Sequence, residues 1–168
     1  MAVDVSPHRF GSSRGGAGAH AATLCPQSFQ FRFVIMSDTK KMMLDHLRDK
    51  LLVLHKTLVD LERASYERIH GAKIAPGHFL NLLLEDKNYA WLRKISELIV
   101  WIDEVLDPKE PTAEEETNQI FDQARKLLNP SELGDDFVRK YQEALQRNAD
   151  VIMAHKEVRD ILRMVPKE

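Results

Sequence analysis

The chain predicts an all-α fold: an up-down antiparallel four-helix bundle with a short extra helix before helix two and a disordered N-terminal extension. Three observations carry that expectation. Leu44, Leu47, Leu51, Leu54, Leu58 and Leu61 recur at alternating spacings of three and four, the seam of a helix that turns about 100° per residue. Comparable stripes run through 88–106 and again after 137. Between the stripes stand Gly71, Pro76, Pro108, Pro111, Pro130 and Gly134, helix punctuation with connections short enough to favour antiparallel neighbours.

Composition bounds the class. A chain of 168 residues, 43% hydrophobic and 30% charged, can bury one core, which we place in a single domain over 36–168. The formal charge of −2 leaves no basic excess for a phosphate backbone, so nucleic acid is not an expected partner. Cys25 is the only cysteine; neither an intramolecular disulfide nor a cysteine-rich zinc site can form, and the default location is cytoplasmic. The longest apolar run, 98–102, is far short of the ~20 residues that span a bilayer, so no membrane partner is expected.

Residues 1–35 are rich in Gly, Ser, Ala and Arg and read as disordered. Phe29-Gln30-Phe31-Arg32-Phe33 alternates like a strand with no second strand to pair with. Met36-Ser37-Asp38 looks like a natural start, which makes the preceding residues an over-extended reading frame. They hold three Arg and one Asp, so the rest of the chain carries four more acids than bases, against two for the whole.

The first helix starts near Ser37 or Asp38, either of which caps free N–H groups, and ends at Gly71, the residue that most cheaply turns left-handed past a helix end. Pro76 suits the first position of a short apolar helix through Phe79, Leu80, Leu82, Leu83 and Leu84. Glu85-Asp86-Lys87 breaks it before the run 88–106, whose seam of Trp91, Ile95, Leu98, Ile102 and Val105 is widened by Leu92, Ile99, Leu106 and Trp101. Helix three opens on Thr112-Ala113-Glu114-Glu115, a reciprocal capping box. It buries Thr117, Ile120, Phe121, Ala124, Leu127 and Leu128 and stops at Asn129-Pro130. The last helix is read as continuous through Phe137, Tyr141, Ala144, Asn148, Val151, His155, Val158 and Leu162.

Polar residues on these seams are the candidate chemistry. Antiparallel packing of the first and last helices, midpoints matched, puts His55 level with Ile152 and Glu62 level with Leu145 at ~1.5 Å per residue. His55, Glu62, Tyr141, Asn148 and His155 could then form one hydrogen-bonded core network, since an unpaired buried polar group costs about 1–3 kcal/mol. The sharper alternative is a metal held by His55, Glu62 and His155. Glu67-Arg68-Ile69-His70 has the Glu-x-x-His spacing of di-iron bundles, but no second copy occurs. Arg63, Glu67 and His70 read more simply as a solvated ladder. No phosphate-binding glycine loop or nucleophile elbow is present, so the reading leans against an enzyme and names no cofactor.

The helix over 88–106 is apolar over more than half its girth. It must be central in the bundle or sit at a subunit interface, and we expect the latter: a dimer contacting through Trp101, Ile99 and Leu92. The acidic tract Asp103, Glu104, Asp107, Glu110, Glu114, Glu115 and Glu116 is expected to be a solvated helix end and loop. It lacks the alternating ligands and central Gly of a calcium loop.

The block from Leu54-His55-Lys56 through Leu61-Glu62-Arg63-Ala64-Ser65-Tyr66-Glu67-Arg68-Ile69-His70-Gly71, continuing through Ala90-Trp91-Leu92-Arg93-Lys94 to Ile102-Asp103-Glu104, resembles a family of small, uncharacterised bacterial all-helical proteins. The resemblance covers about 44–107. It implies a bacterial cytosolic bundle and transfers no functional residue. The functional expectation is therefore a non-enzymatic, self-associating interaction or regulatory module, with a small-ligand or metal-binding bundle as the alternative.

Overall fold

Helix α1 (Asp38–His70) is the element on which most of the later helices pack. It is followed by α2 (Pro76–Glu85), a 3-10 helix (Lys87–Leu92), α3 (Arg93–Leu106), α4 (Glu114–Leu127), α5 (Asp136–Arg147) and α6 (Ala149–Met164). A computed structural model describes residues 38–107, 109, 114–129 and 136–166, all within the unit Arg32–Glu168. Every element among them is helical, as the periodicity predicts. The predicted extension 1–35 and the cap at Thr112 lie outside the described residues.

The α1 stripe is buried as expected: Leu44, Leu47, Leu51, Leu54 and Leu58 are wholly inaccessible, and Leu61 is half-buried. Each fully buried Leu is worth about 1.5–3 kcal/mol. The five together outweigh every exposed ion pair on the helix, worth about 0–1 kcal/mol apiece. Gly71 ends α1 with φ 65°, a left-handed conformation that a Cβ would strain. Pro76 opens α2.

α1 packs on α3, α6 and α4, α3 packs on α4, and α4 packs on α6. Lys50 of α1 pairs with Glu157 of α6 at 2.9 Å, and Arg48 pairs with Asp103 of α3 at 3.4 Å. The wide apolar girth of 88–106 is thus spent inside the chain. Leu92 and Ile99, expected at a subunit interface, are buried in the chain's own core. Trp101 is half-buried, and its Nε1 donates to Glu116 Oε1 of α4 at 3.1 Å. Two of the three residues named for a subunit interface are thus spent in the chain's own core.

Two helix boundaries also depart from expectation. The run 88–106 begins as a 3-10 helix, because Asp86 Oδ1 accepts the Asn88 N–H at 2.8 Å and tightens the first turn. The predicted last helix is two. Asn148 adopts an extended conformation (φ −143°, ψ 121°), and its side chain accepts from the N–H groups of Asp150 and Val151, making it the N-cap of α6. Among the described residues no helix is long and apolar enough to cross a membrane.

Candidate functional site

The break at Asn148 brings together a buried polar pair. Tyr141 on α5 and His155 on α6 are fourteen residues apart, about 21 Å along an unbroken helix at ~1.5 Å per residue. Instead the Tyr141 hydroxyl and His155 Nδ1 share a hydrogen bond of 2.7 Å. Tyr141 is 1% exposed and His155 7%. Burial pushes the phenol's pKa up and the imidazole's down, the latter helped by the nearby Arg159 cation. At neutral pH both rings are uncharged.

Behind this pair lies an aromatic file. Tyr141 stacks on Phe137 with centroids 5.3 Å apart, and Phe137 meets Trp91 at 6.0 Å. The Trp91 indole N–H is buried with no hydrogen-bond partner, an uncompensated donor of the kind that costs about 1–3 kcal/mol. The packing of these large rings holds it there.

The other predicted members of the network stand elsewhere. The Lys50–Glu157 pair puts residue 55 level with 152 of α6, but on the wrong flank, and the break at Asn148 takes residue 145 out of that register. Arg48, His55 and Glu62 are spaced by sevens and form one line that drifts only ~20° per heptad. Arg48 faces α3, whereas Lys50, about 200° further round, faces α6. His55 and Glu62 therefore lie on the flank of α1 turned away from α6, where Glu62 neighbours the 3-10 helix and α5. There Glu62 raises the pKa of the Tyr89 phenol, after burial the largest cause. Burial also raises the Glu62 carboxyl's pKa, opposed by Lys140 and Arg147 of α5, and lowers that of His55. Asn148 is spent on its cap. Of the five residues, the structure joins Tyr141 and His155 by a hydrogen bond. Among the described residues no three His, Cys, Asp or Glu side chains are grouped to hold a metal, so His55, Glu62 and His155 do not converge.

Glu67 and His70 part company as well. Glu67 ties down the α1–α2 connection, accepting from Lys73 Nζ at 2.9 Å, the Ile74 N–H at 3.2 Å and Arg63 Nε at 3.3 Å. These bonds, Lys73 foremost, hold its carboxyl below the usual range. His70 stacks on Tyr66 at 3.9 Å, its Nδ1 2.8 Å from the Tyr66 carbonyl oxygen. Part of the acidic tract is also engaged: Glu114 pairs with Lys40, and Asp103 and Glu116 with the partners given above.

The buried histidine makes stability fall in acid. Its folded pKa lies below the ordinary 6.5, so between the two values the unfolded chain binds the extra proton. The contribution is complete above pH 6.5 and drains as pH falls below it. His55 acts with the same sign. Glu62 acts with the opposite one, because its raised folded pKa makes acid relieve a burial penalty. Denaturant titrations from pH 7.5 to 5.5 are expected to show falling stability, by at most about 1.4 kcal/mol per pH unit for each histidine. His155→Asn should flatten that slope; an unchanged slope refutes the assignment.

No family model, curated protein or solved structure matches the chain.

Proposed function

We propose that the chain is a non-catalytic cytoplasmic bundle, with α1, α3, α4 and α6 running up and down around one core, that works as a self-associating interaction module through α2. The apolar face of α2 supports this reading. Of Phe79, Leu80, Leu82, Leu83 and Leu84, only Phe79 is buried, while Leu80 and Leu84 are 53% and 59% exposed. One turn apart, these two leucines share a stripe with Gly77 and Asn81.

That stripe is self-complementary. In an antiparallel pair related by a two-fold between positions 80 and 81, Leu84 of each copy enters the space above Gly77 of the other. A Cβ at Gly77 would meet no atom within 4 Å. Leu80 then lies against Asn81, so the same patch serves both subunits. A contact one ten-residue helix wide belongs to the small, transient class of interfaces.

Sedimentation equilibrium of the full chain from about 10 to 500 µM, the range of weak association, is expected to show a monomer–dimer equilibrium. Leu80→Glu combined with Leu84→Glu should abolish it with far-ultraviolet dichroism unchanged, since neither side chain is in the core. A chain monomeric across the range, or a double variant that dimerises like the parent, overturns the proposal.

A further inference from the structure

Where the C-terminal ends of α4 and α6 meet, a groove of about 470 Å³ opens, walled by Leu128, Leu162 and Val165 and edged by Arg125, Arg159 and Arg163. Among the described residues no acidic side chain lines it. The convergence of three cations on two helix C-termini is accounted for only in part by local structure. Arg125 is structural: its Nη2 donates to the carbonyls of Leu162 (3.1 Å) and Val165 (2.7 Å), and its Nη1 to Asp122 at 2.8 Å. It thereby satisfies the last carbonyls of α6 and offsets the negative end of the helix dipole. Arg163 pairs with Asp160 at 3.3 Å, an exposed and weak contact.

Arg159 differs from both. It is exposed, and among the described residues it makes no hydrogen bond or ion pair. Its charge is close enough to act on both Tyr141 and His155, disfavouring the imidazolium. Those two rings are neutral, and the carboxylate it acts on, Asp160, is already paired with Lys156 and Arg163, so the donors of the Arg159 guanidinium stay unspent. A guanidinium with its five donors unspent, beside a concave apolar wall, suits a carboxylate joined to an apolar body: the planar fork takes the two oxygens, and the wall takes the hydrocarbon. The volume lies within the range of small-molecule sites, about 300–1,000 Å³.

We propose that this groove binds a small organic carboxylate with an apolar body, its head group on Arg159 and Arg163 and its hydrocarbon on Leu128, Leu162 and Val165. The site is separate from α2, so binding and self-association can fail independently.

The test is calorimetric titration of the full chain with octanoate, using inorganic phosphate and octanol as the charge-only and apolar-only arms. Saturable one-to-one binding of octanoate is expected, with phosphate and octanol each at least about tenfold weaker. Arg159→Gln should weaken octanoate about tenfold or more while leaving the unfolding midpoint nearly unchanged, because the exposed side chain has no hydrogen bond or ion pair to lose. Arg159→Lys should fall between, keeping the charge but not the fork. Lys156→Gln, on the same helix and paired with Asp160 at 2.8 Å, should leave octanoate affinity as in the parent. No saturable octanoate binding, equal affinity in Arg159→Gln, or phosphate or octanol binding as tightly as octanoate would each overturn the proposal.

Discussion

Leu51→Ala is expected to cost about 2–5 kcal/mol and to lower the thermal midpoint by roughly 10 °C, while the neighbouring Leu52→Ala stays within about 0.5 kcal/mol. The residue type and the position along α1 are the same; only the direction from the helix axis differs. Leu51 is wholly buried in the leucine stripe, whereas Leu52 is 45% exposed. Truncating Leu51 removes the transfer energy of three carbons and leaves a cavity that α3 and α6, both packed on α1, can fill only in part. Thermal melts of the two variants beside the parent decide it. Similar midpoints for both would mean that α1 is rotated from the orientation described here, and the core assigned to it would have to be redrawn.

Tyr141→Phe is expected to destabilise by about 1–3 kcal/mol although it deletes a single oxygen. The phenol is the partner of His155 Nδ1 at 2.7 Å in a site that water does not reach, and without it the imidazole keeps an unsatisfied polar atom. His155→Leu should cost a similar amount by stranding the Tyr141 hydroxyl. Combining the two removes both polar groups, so the double variant should be more stable than the sum of the single losses predicts, by about 1 kcal/mol or more. Urea denaturation of the four proteins closes the cycle. Simple additivity would show that the hydrogen bond contributes nothing of its own.

The leucine spacing of α1 located its buried face to the residue, because a regular period in apolar side chains has one face to bury. Gly71 and Pro76 marked the ends around the α1–α2 connection for an equally local reason, the dihedral angles that each favours. The break at Asn148 was hidden: the apolar stripes of α5 and α6 stay in phase across it, so periodicity reads straight through. The available signal was chemical. Asn148 is a strong N-cap residue with Asp150 following in the first turn, yet its seam position made it read as buried and polar.

The site residues divide the same way. His155 and Tyr141 were visible as polar members of an apolar stripe. Their contact follows from a chain reversal that no spacing encodes. His55 and Glu62 lie on the flank of α1 turned away from α6, Glu62 beside the 3-10 helix and α5, since the rotation of α1 about its axis depends on having α3 and α6 on different flanks. Arg125, Arg159 and Arg163 come from two helices and share no motif, so their groove was not visible at all.

What the sequence determined by itself was the all-helical class, the buried face of α1 and the limits set by Gly71 and Pro76, because hydrophobic period and backbone preference act within a few turns of chain. The tertiary structure alone decided that the apolar stripe of 88–106, Leu92 and Ile99 included, faces the chain's own core, that Tyr141 reaches His155, and that three arginines meet at one end. Each of those depends on which surfaces exclude water from one another, and that is a property of pairs of helices far apart in the chain.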